Sequence, residues 1–332
     1  MKRIIAFGYP RLHWSLVDMS GASKRMYGGF GVAVKAYATV ATAEPDKELY
    51  IETNGSIEDR TRDNLIKALN RARAHGLNIN CKLNIKSEIK PHAGFGSATQ
   101  IILTAMDAVS ILNDWHITPE QIIEMSGRGR VSMISYSTHY YGGFCIDAGQ
   151  PYDAEREYLP SHTPGDRKPS LFIGSWRFPE EWKISLLGEN SDVVVPAEKE
   201  DDFMRSHTPL DKHRGVSSIV ELYHGILPSV IEKNYAEFAD SLKSIQCLSY
   251  KSAELSVQNE KTLSALDMLW ERNYAAALSS NGPLLSVVHF DNNTDEIIQL
   301  AKECGLSYSG PYDVIQKHAA INPFNPFIRV YQ

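Results

Sequence analysis

The chain has 332 residues, with 34 Lys or Arg against 40 Asp or Glu, so its net charge is −6 when histidine is neutral. This balance excludes a basic domain that binds nucleic acid through bulk charge. With 43% apolar and 22% charged residues, the composition is that of a folded protein and excludes disorder or a collagen-like repeat. At about 100 to 200 residues per domain, the length predicts one large or two modest domains.

Neither a membrane segment nor a cysteine framework is visible in the sequence. No apolar run approaches the roughly 18 residues that span a bilayer, and the apolar segment near Met1 is too short for a signal peptide. We therefore expect a cytoplasmic protein without membrane contact. The four cysteines are far apart and form no CxxC pair, which favours free thiols over disulfides or a zinc site.

The first 85 residues predict a mostly antiparallel sheet and one helix. Segments rich in β-formers cover 2–9, 31–34, 37–42 and 48–53, and the residues at 44–46 are typical of a hairpin turn. Ser56 to Asp59 resembles a capping box, and apolar residues at helical spacing then predict a helix that ends at Gly76. Strict alternation over 77–85 predicts a half-buried strand.

A glycine-rich loop follows that strand, where residues 90–100 read KPHAGFGSATQ. Residues 97–113 carry a single charge and apolar side chains on nearly every face, which predicts a buried helix. Because free N–H groups and the positive end of the helix dipole point out of a helix N-terminus, this arrangement favours phosphate. The loop is neither a Walker A motif nor a dinucleotide fingerprint, since Thr99 occupies the third glycine position. A tight turn without ligand is the alternative.

The rest of the chain predicts a second α+β unit. Thr118 and Pro119 predict the start of a short helix that ends at Gly127, and a strand is expected at 144–147. The polar stretch 150–169 is the best boundary candidate, so we expect one domain over 1–160 and another over 161–332. The later predicted strands are 170–173, 183–187, 284–290 and 327–331, and the later predicted helices are 216–223, 232–245, 261–277 and 294–304.

Short motifs occur along most of the chain: RLH at 11–13, GSATQ at 96–100, GRG at 127–129, YGGF at 141–144 and SSNGP at 279–283. In this order they resemble the GHMP kinase superfamily, and within it the β-ribofuranosylaminobenzene 5′-phosphate synthases and related C-nucleoside synthases. The resemblance implies an α+β fold with an N-terminal ribosomal-protein-S5-like domain and a C-terminal ferredoxin-like domain. It also implies a homodimer.

The resemblance further implies a decarboxylating glycosyl transfer, as in tetrahydromethanopterin biosynthesis. Phosphoribosyl pyrophosphate would lose pyrophosphate, and the ring of a 4-aminobenzoate-like carboxylate would bond to C1 and lose CO₂. GHMP kinases usually carry a catalytic Asp shortly before a Gly-Gly pair, whereas residues 131–141 contain no carboxylate, so a kinase would lack its expected base. An ATP-dependent small-molecule kinase, a heterocyclic carboxylate acceptor and an inactive binding protein stay as alternatives.

Two arginines and a histidine are the candidate catalytic residues. Arg11 and Arg128 would clamp a phosphate or the acceptor's carboxylate through paired hydrogen bonds, and a surface role is the alternative for each. His13 would donate to phosphate or move a proton, with a structural histidine as the alternative. Asp18 and Asp147 are candidate Mg²⁺ ligands, although a capping or ion-paired Asp is equally consistent.

The candidate phosphate-binding residues lie in or beside the glycine-rich segments. They are Gly28, Gly29, His92, Gly94, Phe95, Gly96, Ser97, Ala98, Thr99, Arg130, Ser132, Ser279, Ser280 and Gly282. Mg²⁺ bound with phosphoribosyl pyrophosphate is the expected cofactor, and the expected partners are small-molecule substrates. Trp14, Tyr140 and Tyr141 are candidates for stacking on an aromatic acceptor, with burial in the core as the alternative.

Overall fold

The computed structural model describes residues 2–91, 93–160, 168–188, 197–316 and 329–331. Within this part of the chain the strands form three sheets, and the fold is mixed α/β as expected. No helix of the described chain combines the length and apolar character needed to cross a membrane.

The first sheet has the strand order β14-β1-β4-β6-β5. Its strands are β1 (Arg3–Gly8), β4 (Thr39–Glu44), β5 (Leu49–Gly55), β6 (Cys81–Ser87) and β14 (Arg329–Tyr331). The predicted hairpin at 44–46 is wrong, because β6 lies between β4 and β5 and pairs with β5 in parallel. Parallel neighbours need a crossover, and the predicted first helix, α1 (Asp59–Ala74), supplies it.

The second sheet runs β2-β3-β7-β9, with the short β8 paired to β3. Its strands are β2 (Arg11–Asp18), β3 (Arg25–Ala33), β7 (Phe144–Asp147), β8 (Gln150–Pro151) and β9 (Phe172–Trp176). Strand β2 was not predicted: it is buried along nearly its whole length, so it lacks the alternation of a half-exposed strand. Most of β3 was missed as well, because its glycine pair masks the β pattern.

Three further helices of the first half follow the glycine-rich loop in the chain. Helix α2 (Ser97–Leu112) is buried on nearly every face, as its composition predicts. Helix α3 (Pro119–Ser126) begins with a capping box between Thr118 and Gln121. Helix α4 (Ile134–Tyr140) was not predicted, because its Ser, Thr, His and Tyr residues have modest helix propensity.

The third sheet has the antiparallel order β11-β12-β10-β13. Its strands are β10 (Trp182–Gly188), β11 (Ala275–Leu278), β12 (Leu285–Phe290) and β13 (Ser307–Tyr312). The helix predicted over 261–277 is wrong at its C-terminal end, since α10 stops at Glu271 and the alanines that follow form β11. Alanine suits a helix by propensity, but here complete burial between neighbours decides for a strand.

The remaining helices belong to the second half of the chain. They are α5 (Ala197–Ser206), α6 (Lys212–Val220), a π-helix (Glu221–Ile226), α7 (Leu227–Glu232), α8 (Tyr235–Leu248), α9 (Lys251–Ser256), α10 (Glu260–Glu271), a 3₁₀ turn (Asp291–Asn293) and α11 (Thr294–Glu303).

One hydrophobic core is shared by the two halves of the chain. Trp14 on β2 packs within about 6 Å, between ring centroids, of Phe144 from the first half and of Phe178 and Phe238 from the second. The chain beyond residue 160 also returns to the earlier sheets, through β9 beside β7 and β14 beside β1. Strand β2 therefore lies where the two halves meet, and its first residues reach the site described next.

Candidate functional site

A cavity of about 110 Å³ lies where β2, the start of α2 and the loop after β11 meet. It brings together many of the residues that the sequence predicts for the site. The predicted residues that line it are Arg11, His13, Gly96, Thr99, Arg128, Ser132 and Ser280.

The glycine-rich loop needs its glycines for backbone conformation and for space. Gly94 has φ +83°, and a Cβ placed there would lie 2.4 Å from the carbonyl oxygen of Ser279. Gly96 is the N-cap of α2 with φ +67°, and its Cβ would lie 2.8 Å from Ser135 Oγ. The loop thus packs directly against the segment after β11 and against α4.

The first turn of α2 offers backbone donors near the cavity. The N–H groups of Thr99 and Gln100 donate to the Gly96 carbonyl oxygen. Within the described chain, the N–H groups of Ser97 and Ala98 meet no acceptor, as the geometry of a helix start dictates. This end of α2 therefore has the donors and the dipole direction that favour an anion.

Arg11 is fixed at the start of β2 by two side-chain hydrogen bonds. Its Nε donates to Ser135 Oγ at 3.0 Å and its Nη1 to the Gly94 carbonyl oxygen at 3.1 Å. Burial and the nearby Arg128 guanidinium lower the pKa of Arg11 to about 10, so the side chain stays charged at neutral pH. The guanidinium group of Arg11 is therefore held rigidly, and its Nη2 donates to no residue of the described chain.

Arg128 is the second cation of the cavity. Its Nε donates to Thr99 Oγ1 at 2.9 Å, which ties the Gly-Arg-Gly loop to the first turn of α2. Burial and the neighbouring Arg60 lower its pKa. Arg130, predicted with it, does not line the cavity, and its carbonyl oxygen accepts a hydrogen bond from Gln150.

His13 lies on β2 with only 6% of its surface exposed. Its N–H donates to Ser279 Oγ at 3.4 Å, and its carbonyl oxygen accepts from the Ser280 N–H at 2.9 Å. Burial, with Arg11 and Lys251 nearby, holds the pKa of the imidazole well below its usual value, so the ring is neutral at pH 7. Its Nε2 has no hydrogen-bond partner in the described chain.

The segment after β11 closes one side of the cavity. Ser279 Oγ donates to the Gly94 carbonyl oxygen at 2.9 Å, and the Gly282 N–H donates to the Ser279 carbonyl oxygen at 3.1 Å. Ser280, with φ +50°, accepts a hydrogen bond at its carbonyl oxygen from Lys251 Nζ at 2.7 Å. The predicted companions of the phosphate loop are therefore adjacent to it.

Several cavity residues were missed by the sequence analysis, among them an acidic pair. Glu254 on α9 forms an ion pair with the buried Lys251, and Glu200 on α5 accepts from Asn281 Nδ2. Burial raises the pKa of Glu254, and the Lys251 ammonium opposes that rise. A Lys and a Glu three residues apart on an otherwise poorly charged segment were the only available signal. Ser135 and Tyr136 of α4 were missed as well.

The remaining wall of the cavity is apolar. Leu16 of β2, Val131, Pro160 and Met204 line it, and each is buried. The cavity therefore has a cationic side near α2 and an apolar side that fits a flat, uncharged ring face.

The two aspartates predicted as Mg²⁺ ligands do not line the cavity. Asp18 accepts hydrogen bonds from Ser20 and Ser23 within the turn after β2. Asp147 accepts from Ser132 Oγ and from the N–H groups of Met133 and Gly149, each at 2.9 Å. Both carboxylates are thus engaged in holding loops, which was the alternative for each.

Other predicted phosphate contacts lie beside the cavity rather than in it. Gly28 and Gly29 are buried on β3, and a Cβ on Gly29 would lie 2.5 Å from His13 Nε2, so the glycine makes room for the imidazole. Phe95 is buried and its ring packs edge-on against Tyr37. His92 lies outside the described residues.

The aromatic candidates for stacking on an acceptor do not line the cavity and are engaged elsewhere. Trp14 is buried in the shared core and donates from Nε1 to Ser286 Oγ at 2.9 Å. Tyr140 donates to Asp107 at 2.6 Å, and Tyr141 stacks on Phe172 at 4.6 Å between centroids. These rings pack against neighbouring helices and strands instead of facing the cavity.

Known proteins resemble this chain in sequence and in fold. Residues 63–142, which include the glycine-rich loop, match the family described as the GHMP kinases N terminal domain. This part of the chain therefore carries a GHMP kinase N-terminal domain. The chain's curated relatives include two β-ribofuranosylphenol 5′-phosphate synthases. That of Methanothermobacter thermautotrophicus is 27% identical over 82% of this chain and 84% of the relative, and that of Methanocaldococcus jannaschii is 28% identical over 83% and 86%.

Solved structures of two kinases share the fold. The phosphomevalonate kinase of Streptococcus pneumoniae superposes with a TM-score of 0.71 and 12% identity, covering 95% of this chain and all of that one. The homoserine kinase of Cytophaga hutchinsonii gives 0.68 and 12%, covering 99% and 97%. At this identity the likeness concerns the architecture alone, and it agrees with the expected GHMP-kinase-like fold.

Proposed function

We propose that the protein transfers the ribose 5-phosphate unit of phosphoribosyl pyrophosphate to a ring carbon of an aromatic carboxylate. The C1–oxygen bond to pyrophosphate breaks, and a bond forms between C1 and the ring carbon that bears the carboxylate. The carbon–carboxylate bond then breaks, CO₂ leaves, and its electron pair restores the aromatic ring. The overall reaction neither takes up nor releases a proton. The product would be a C-glycoside of methanopterin biosynthesis.

The observation that carries the proposal is the two-sided cavity. Arg11, Arg128 and the donors at the start of α2 suit a departing diphosphate, whose negative charge grows as the C1–oxygen bond breaks. The apolar wall suits an aromatic ring and excludes water from a reactive C1. The names of the curated relatives support a ribofuranosyl product.

The acceptor we propose is a benzoate with an electron-donating group opposite its carboxylate. Such a group makes the attacked carbon electron-rich, which the reaction needs in order to form a carbon–carbon bond. An amino group follows from the expected 4-aminobenzoate, whereas the name of the relatives specifies a phenol and so a hydroxyl group. We therefore propose 4-hydroxybenzoate and 4-aminobenzoate as the two candidate acceptors.

Magnesium fits this site as a companion of the diphosphate rather than as a metal held by the protein alone. The described residues contain no cluster of three or more His, Cys, Asp or Glu that would hold a metal ion. Mg²⁺ commonly binds through one or two carboxylates and substrate phosphates, and Glu200 and Glu254 are the cavity carboxylates that would hold it. The ion would neutralise charge on the leaving pyrophosphate.

The test is an assay of the purified protein with Mg²⁺, phosphoribosyl pyrophosphate and either benzoate, each labelled in its carboxyl group. We expect labelled CO₂ and pyrophosphate in equal amounts, with one benzoate preferred. An Arg11→Met variant should lose both products together, and Arg3→Met, an exposed arginine on β1, is the matched control.

Two outcomes would replace the proposal. Phosphorylation of a small molecule with ATP, without product from the sugar donor, would establish the kinase alternative. Product from a heterocyclic carboxylate, with none from either benzoate, would retain the donor and reassign the acceptor.

A further inference from the structure

A chain of buried hydrogen bonds that the proposed chemistry does not use runs from the middle of α2 to Arg11. Asp107 accepts from the Tyr140 hydroxyl at 2.6 Å and lies 2.8 Å from His139 Nε2. His139 Nδ1 lies 2.9 Å from Gln100 Oε1, and Gln100 Nε2 donates to the Ser135 carbonyl oxygen at 2.9 Å. Asp107, Gln100 and His139 are almost wholly buried.

The chemistry of the partners gives this chain a fixed direction. The Ser135 carbonyl oxygen can only accept, so the amide nitrogen of Gln100 must face it and the amide oxygen must face His139. His139 Nδ1 therefore carries a hydrogen, and the Asp107 carboxyl group and His139 Nε2 share a second one between them. Each link then has one donor and one acceptor, which makes the arrangement rigid.

The chain ends at a serine in the cavity. Ser135 Oγ accepts from Arg11 Nε at 3.0 Å, and its own hydrogen has no acceptor in the described chain. Arg11 is held a second time by the Gly94 carbonyl oxygen, which leaves its Nη2 without a described partner. Gly96 lies against both side chains: a Cβ there would be 2.8 Å from Ser135 Oγ and 3.1 Å from Arg11 Nε.

We propose that Ser135 is an anion-binding residue that acts beside Arg11, and that Gln100, His139 and Asp107 are positioning residues that fix its place. The ligand is a diphosphate, which would accept from the Ser135 hydroxyl and from Arg11 Nη2 at once. The inference rests on the proposed function only for this ligand class and does not depend on the acceptor.

The test measures the affinity of inorganic pyrophosphate with Mg²⁺ by calorimetry. Ser135→Ala removes one donor and the acceptor of Arg11 Nε, so we expect the affinity to fall about tenfold. Ser137→Ala is the matched control on the same helix: its hydroxyl is buried, has no hydrogen-bond partner in the described chain and does not line the cavity. It should bind pyrophosphate as the wild type does. Equal affinity in both variants would overturn the role of Ser135.

The positioning role is tested with Gln100→Glu, alone and combined with Ser135→Ala. The glutamate can still accept from His139 but cannot donate to the Ser135 carbonyl oxygen, so pyrophosphate binding should weaken several-fold. If Gln100 acts through Ser135, its effect should shrink in the Ser135→Ala background. A Gln100→Glu effect that is as large in the Ser135→Ala background as in the wild type would refute the positioning role. Wild-type protein that binds pyrophosphate but makes no product would refute the proposed function and leave this inference standing.

Discussion

At the scale of single residues, burial decides which charges are available to a ligand. Arg11 keeps its charge because its pKa, which burial and Arg128 lower to about 10, still lies well above 7. His13 is neutral because burial and two nearby cations hold its pKa well below its usual value. Lys251 keeps a carboxylate partner in Glu254. The cavity therefore presents the charged Arg11 guanidinium beside a neutral imidazole at pH 7.

His13 should make the stability of the protein depend on pH below its usual pKa. Because its folded pKa lies well below the unfolded value of about 6.5, only the unfolded chain takes up this proton as the pH falls. Stability should decrease below pH 6.5 by up to about 1.4 kcal/mol per pH unit from this residue alone. A His13→Gln variant should lose this component, so urea unfolding at pH 7.5 and 5.5 should differ less than in the wild type.

The matched control for this prediction is His116→Gln, which changes an exposed histidine that does not line the cavity. Its unfolding should keep the pH dependence of the wild type. An unchanged pH dependence in His13→Gln would show that the imidazole has the same pKa in the folded and the unfolded protein.

At the scale of elements, the site depends on how the glycine-rich loop meets the segment after β11. Two contacts join them, the hydrogen bond from Ser279 Oγ to the Gly94 carbonyl oxygen and the close approach of Gly94 itself. The glycines allow the positive φ angles of the loop, and the segment after β11, distant in sequence, provides the surface against which the loop packs.

Gly94→Ala should therefore cost more than a positive φ alone. Gly76, with φ +80°, has open space where a methyl group would be added, whereas the same group at Gly94, with φ +83°, meets the Ser279 carbonyl oxygen at 2.4 Å. We expect a loss of about 1 kcal/mol for Gly76→Ala, and roughly 2 to 3 kcal/mol for Gly94→Ala with weakened pyrophosphate binding. Urea unfolding of both variants measures the difference. Equal losses would mean that the loop moves away from Ser279 without cost.

The sequence alone predicted the elements whose patterns are local. The helix starts at Ser97 and Pro119 follow from a glycine loop and a capping residue, and both are confirmed. Strand β2 and the end of α10 could not be predicted, because their state is decided by neighbours far along the chain. Glu254 was missed for the same reason: its spacing from Lys251 is a local signal of an ion pair, but distant packing decides that this carboxylate lines the cavity with Arg11.

At the scale of the whole molecule, the two halves share a core and are expected to unfold together. The aromatic cluster around Trp14 includes Phe30 and Phe144 from the first half and Phe178, Trp182 and Phe238 from the second. The residues on the two sides of the expected domain boundary near residue 160 therefore share one hydrophobic core. The proposed site lies at the edge of this shared core, so its geometry depends on both halves.

Phe238→Ala should destabilise both halves at once. Truncating a fully buried phenylalanine costs about 3 to 5 kcal/mol, and here the cavity would open beside Trp14. Hydrogen exchange should accelerate in β7 of the first half as well as in β12 of the second. Ile231→Ala, at an exposed position on α7, should leave both unchanged. Faster exchange in β12 alone would show that the halves unfold separately.

The apolar wall of the cavity has a consequence for how acceptor preference evolves. Leu16, Val131, Pro160 and Met204 come from four separate stretches of the chain, whereas the cationic side is tied together by shared hydrogen bonds. A substitution in the wall changes its shape without removing a hydrogen bond of Arg11 or Arg128. Under the proposed function, single substitutions in this wall would change which ring is accepted, while the hydrogen bonds that hold Arg11 and Arg128 would stay in place.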